Sequence, residues 1–136
     1  MNIRKEIEAH IIEDWGKNSC AMLLFCRLLE QLKPGATRYF PLHYLANLVQ
    51  DQYRVKEVED AARYLAGERI ALLNLAFEMI GEDNNSRDIE TDAVLKALED
   101  GVLLDPDSGE EIEEFESKIF MYFRGTDRLQ SLVQEG

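Results

Sequence analysis

Apolar residues recur every four positions at the start of the chain: Ile3, Ile7, Ile11 and Trp15, with charged residues between them. That spacing follows one face of a helix and predicts an amphipathic helix over residues 3–14. Gly16 ends it, and Asn18 or Ser19 offers an N-cap for the next. Residues 20–32, CAMLLFCRLLEQL, are apolar on nearly every side and interrupted only by Arg27, Glu30 and Gln31. Such a helix belongs in the middle of a small domain. Lys33-Pro34-Gly35 is a stop and a turn.

A short extended piece, Thr37 to Phe40, is expected next. Pro41 then suits the first turn of a helix carrying Leu42, Leu45, Ala46, Leu48 and Val49 at helical spacing. After a polar turn, Gln50 to Arg54, a further helix carries Val55, Val58, Ala61, Ala62 and Leu65, and Gly67 closes it. The run 70–80, IALLNLAFEMI, is apolar throughout, which alone does not separate strand from helix. Its flanks, Gly67-Glu68-Arg69 before and Gly81-Glu82-Asp83-Asn84-Asn85-Ser86 after, favour a strand running into a loop, with Arg87 to Glu90 returning as its partner. Thr91-Asp92 is expected to cap a helix, AVLKALED, that Gly101 ends. Val102-Leu103-Leu104 reads as extended and Asp105-Pro106-Asp107-Ser108-Gly109 as a turn. The pentad Ile119-Phe120-Met121-Tyr122-Phe123 reads as a strand apolar on both faces, and the residues from Gly125 onward as loosely held.

The stretch Leu42 to Leu73 resembles the core of a winged-helix domain. The family's pattern is a helix with a Leu-x-x-Leu-Ala start, a polar turn, then a helix of the form Val-x-x-Ala-x-x-Leu and a β-hairpin. Here those elements are Leu42/Leu45/Ala46, the turn 50–54, Val58/Ala61/Ala62/Leu65, Gly67 and the run from Ile70. Helix 20–32 and the strand near Tyr39 stand where the family's first helix and strand would be. The predicted fold is therefore α+β and mainly helical: an N-terminal amphipathic helix over 1–17, a winged-helix-like core over 18–90, and an acidic helix-plus-strand extension over 91–136 packed on that core. In DNA-binding winged helices the second helix of the pair lies in the major groove, and the wing contacts phosphate. The resemblance thus implies Arg54, Lys56, Arg63 and Arg69 as nucleic-acid contacts.

Charge changes this picture. The 136 residues carry 15 Lys and Arg against 27 Asp and Glu, a formal net charge of −12. Residues 1–70 balance at ten against ten, so residues 71–136, with five against seventeen, hold the whole excess. The expected recognition helix mixes its cations with Glu57, Glu59 and Asp60, and the expected wing, 81–90, sets Glu82, Asp83, Asp88 and Glu90 against Arg87 alone. An acidic wing meets phosphate with like charge, and a chain this acidic has no uniform attraction for nucleic acid or anionic lipid. Glu110, Glu111, Glu113 and Glu114, in the densest acidic run, and Ile119, Met121 and Phe123, on one side of the last strand, are the candidate protein-interface residues; burial of both strand faces within the domain is the other reading.

Signals for chemistry are sparse. Cys20 and Cys26, six apart on one helix, diverge too far for a disulfide and read as reduced thiols in a reducing compartment. His10 and His43 stand alone, without metal-ligand spacing. Ser19 and Cys20 lack a recognisable base. Residues 105–116 resemble part of a calcium loop, but glycine falls fifth rather than sixth, so a plain turn is expected. No apolar run is long enough to span a membrane, and the first residues alternate in charge where a signal peptide would be apolar. The expectation is a cytoplasmic, non-enzymatic adaptor or regulatory subunit with a protein partner, no cofactor, no metal and no membrane, in which homodimerisation through the last strand has a place. A DNA-binding regulator is the alternative, and an acidic mimic of nucleic acid the third.

Overall fold

The first helix, α1 (Ile3–Asp14), buries Ile7 and Ile11, two members of the four-residue repeat. In the computed structural model, residues 3–33, 39–49, 52–81, 84–105 and 107–135 are described. Expectations resting on Pro34, Gly35, Thr37, Gln50, Asp51, Glu82, Asp83 and Pro106 lie outside them. Gly16 turns the chain at φ 104°, a left-handed conformation that glycine adopts without a Cβ penalty. Ser19 then caps α2 (Cys20–Gln31): its hydroxyl accepts from the Met22 N–H at 3.2 Å and donates to the Gly16 carbonyl at 2.8 Å.

Pro41 closes the short strand β1 (Tyr39–Pro41) and stands at the N-cap of α3 (Leu42–Leu48), where its missing N–H costs nothing. Next comes α4 (Val55–Ala66), with Gly67 as its C-cap. The Glu57 carboxylate accepts from the Arg54 backbone N–H at 3.3 Å, satisfying a donor at the helix start. α4 turns Val58, Ala61, Ala62 and Leu65 inward, and α2, α3 and α4 pack on one another. Ala61 and Ala62 let the helices approach closely. Phe25, Leu24, Leu28, Leu45 and Leu65 are fully buried, each contributing about 1.5–3 kcal/mol of transfer free energy.

The run 70–80 is a strand, but a shorter one than its apolarity suggests. Residues 67–72 form a turn, with the Ala71 and Leu72 N–H groups donating to the carbonyls of Gly67 and Leu65. β2 (Leu73–Ile80) then pairs antiparallel with β3 (Ser86–Ile89), matching Phe77 to Ile89 and Met79 to Arg87. β4 (Ile119–Gly125) completes an antiparallel four-stranded sheet of order β1-β4-β2-β3. The α+β class holds.

Three local expectations are corrected. Thr91 does not cap its helix: α5 (Thr91–Asp100) has Glu90 at the N-cap, and the Thr91 hydroxyl donates to the Leu75 carbonyl at 3.0 Å. The end of the chain is not loose. α6 (Asp127–Glu135) buries Leu129, Leu132 and Val133, an i, i+3, i+4 pattern that makes one apolar helix face. Thr126 caps it, accepting from the Leu129 N–H while donating to the Ala71 carbonyl at 2.8 Å. Finally, burial along β4 is incomplete: Tyr122 and Phe123, which point to opposite faces, are buried, whereas Phe120 is exposed.

The chain divides into two compact units, Met1–Asn74 with Phe123–Gly136, and Leu75–Tyr122. These limits group the residues differently from the segments 1–17, 18–90 and 91–136. The first unit holds the helices α1 to α4 and α6. The second has its own core of Phe77, Met79, Ile89, Val94, Ala97, Leu103 and Phe115, with Ile112, Ile119 and Met121 packed against it.

Candidate functional site

Of the four cations expected to meet nucleic acid, three are held by carboxylates of their own unit. The Lys56 ammonium lies 3.0 Å from Asp60 and 3.4 Å from Glu59, and Arg63 lies 3.8 Å from the same Glu59. These are contacts between successive helical turns, which follow from the i, i+3 and i, i+4 spacing of α4. Arg69, just past α4, reaches α1: it lies 3.3 Å from both Glu13 and Asp14 and donates to His10 Nδ1. Arg54 is exposed at the start of α4. Arg69 is thus directed toward α1, while Lys56 and Arg63 share the α4 surface with Glu59 and Asp60. The four do not form a field of uncompensated positive charge.

The acidic residues are more sharply localised than a count by halves reveals. Leu75–Tyr122 contains fifteen Asp and Glu against three Lys and Arg, a balance of −12, so the rest of the chain balances at twelve against twelve. One 48-residue unit carries the entire net charge of the protein. Glu110, Glu111, Glu113, Glu114 and Glu116 are all exposed on it. Glu114 adopts φ 52°, which starts the 3-10 turn Phe115–Ser117 and lets Phe115 enter the unit's core.

The segment before that turn is a narrow loop closed by a bridge between Leu104 and Glu111. Asp105 accepts from the Asp107 N–H at 2.8 Å and the Ser108 N–H at 3.4 Å, and Gly109 supplies φ 75°. These bonds to the ionised form hold the Asp105 carboxyl below its ordinary value, with help from Arg87, which also pairs with Asp107. The carboxylates of this loop are engaged by backbone amides and a guanidinium, as in a turn. A cleft of about 440 Å³ lies beside the loop, lined by Met79, Gly81, Asn85, Arg87, Asp105, Ile112 and Lys118. Among the described residues no cluster of three or more His, Cys, Asp or Glu is placed to hold a metal ion.

The other expected interface residues separate. Phe123 is fully buried, and Ile119 and Met121, partly buried, pack against the core of the acidic unit. Phe120 is exposed, while Tyr122 on the same face of the strand is buried.

The nucleophile candidates have structural employment. The Ser19 hydroxyl is spent on its cap. Burial, assisted by the nearby Glu57 carboxylate, pushes the Cys20 thiol up to about 11, which suppresses the thiolate. Cys26 is only partly buried, and burial raises it as well. It opens onto a cleft of about 290 Å³ with Ser19, Met22, Gln52 and Tyr53. Neither cysteine is in a disulfide.

Among the described residues no helix is long and apolar enough to cross a membrane. Compared with protein-family models, with curated proteins and with solved structures, the chain matches none of them.

Proposed function

We propose that this chain is a non-enzymatic, cytoplasmic adaptor or regulatory subunit, an acidic winged-helix-like domain that has become a protein-binding module. The observation that carries the reading is the segregation of charge: −12 in Leu75–Tyr122 and zero elsewhere. With Lys56, Arg63 and Arg69 already ion-paired, the α4 surface offers phosphate little unbalanced positive charge. Counterion release, the main source of affinity for duplex DNA, needs free cations.

The test is titration of the purified chain into a labelled mixed-sequence duplex, followed by fluorescence anisotropy at low and near-physiological salt. No binding is expected at either. Binding that weakens steeply with salt and is abolished by Arg63→Glu would replace the adaptor with a DNA-binding regulator.

A further inference from the structure

Eight large apolar side chains are exposed among the described residues, and five of them, Leu95, Leu98, Val102, Leu104 and Phe120, belong to the acidic unit. That unit is about a third of the chain. Four of the five fall within ten residues of sequence, 95–104, and each is between 43% and 57% exposed. Single exposed apolar residues are ordinary on any protein; this concentration is not.

Helix geometry explains how they come to face solvent. α5 turns Val94 and Ala97 into the core, and Gly101 ends it at φ 81°. Leu95 and Leu98 are three residues apart, neighbours on the adjoining face. Val102 follows four residues later, just beyond the glycine. Leu95 and Leu98 thus form an exposed apolar pair on α5, and Val102 adds an exposed apolar side chain just past the helix end. Exposed charges flank them: Asp92, Glu99 and Asp100, with Lys96 the cation on α5.

We propose that the exposed face of α5 is a docking surface for a basic amphipathic helix of a partner protein. Its apolar stripe would cover Leu95 and Leu98, and its Lys and Arg residues would meet the surrounding carboxylates. Charge selects this occupant. A unit bearing −12 attracts a cationic partner and steers its approach. A second copy of the same unit would bring an equal negative charge against it, so self-association through this face is opposed. The inference deepens the adaptor reading and rests on it, by naming the face and the chemistry of what it binds.

The probe is a synthetic amphipathic helix of about 20 residues built from Leu and Lys, titrated against the full chain and followed by calorimetry and by amide chemical shifts. Two control peptides replace every Lys by Glu, or every Leu by Ser. Binding of the Leu/Lys peptide alone is expected, with shifts centred on residues 92–104. Leu95→Asn with Leu98→Asn should weaken it by about tenfold or more. Both positions are exposed, and the far-ultraviolet spectrum of the double variant checks that it folds. Equal binding of the Lys/Ser peptide would reduce the effect to bulk charge and overturn the proposal. So would shifts confined to other surfaces, or a dimer in sedimentation that the double variant abolishes. Those outcomes leave the adaptor reading standing, since only duplex binding bears against that.

Discussion

The phenol of Tyr64 donates to the Asp14 carboxylate across 2.5 Å, joining the last turn of α4 to the end of α1 over fifty residues of chain. Trp15 packs beside it, its ring centroid 5.8 Å from that of Tyr64. Arg69 approaches the same carboxylate. α1 is therefore clamped by a mixed aromatic and ionic contact in addition to Ile7 and Ile11.

Burial, and then the bond to Asp14, push the Tyr64 phenol up to about 12. The raised value means that the native state favours the protonated form. Its contribution to stability is complete below the unfolded value near 10 and is lost as pH rises from there toward 12. Tyr64→Phe should lower stability by about 1 kcal/mol at neutral pH. Urea melts at pH 7 and pH 11 should show the gap between wild type and variant narrowing at the higher pH.

The two thiols should differ in reactivity with Ellman's reagent. With its thiol near 11 and its side chain buried, Cys20 should remain unreactive in the native protein at pH 8. Cys26, partly exposed at its cleft, should react first though slowly. Cys26→Ser should remove the native-state reaction, and Cys20→Ser should leave it. The reverse pattern would place the wrong residue in the α2 core.

Asp105 gives a prediction of opposite sign to Tyr64. Its lowered folded value means that the ionised form supports the loop above the unfolded value of about 3.9, and that this support fades as pH falls through the folded value. Asp105→Ala should speed hydrogen exchange at the Asp107 and Ser108 amides at pH 6. The variant and wild type should converge only at pH well below about 3.9, once Asp105 is protonated in the folded protein.

Charge repulsion within Leu75–Tyr122 should make that unit salt-sensitive. Raising NaCl from about 20 mM to about 500 mM shortens the screening length severalfold. Amides of Phe77, Met79 and Ile89 should gain exchange protection as salt rises, while those of Leu24, Leu28 and Leu65 change little. Equal responses in the two sets would show that the localised charge carries no energetic weight.

α6 can be tested by truncation of one side chain. Leu129 is fully buried, so Leu129→Ala should cost about 2–5 kcal/mol. A loss under about 0.5 kcal/mol would fit a loosely held terminus instead.

Local periodicity and end signals determined much of the secondary structure. The four-residue repeat of α1, the Ser19 cap, Gly67 after α4, Gly101 after α5 and the pairing of 87–89 with β2 were all readable, because each depends on neighbours in sequence. The excess of carboxylates was readable too, but not its confinement, since Phe123–Gly136 returns to the first unit and only the fold draws that boundary. Tertiary structure alone placed β4 beside β1, turned Phe123 inward and Phe120 outward, and gave α6 a surface to bury against. It also decided the fate of the cations. Lys56 and Arg63 meet carboxylates one helical turn away, whereas Arg69 finds its partners on α1, more than fifty residues distant. Sequence spacing governs contacts within an element; which elements meet depends on how their apolar faces are buried together, and no single stretch of sequence contains that information.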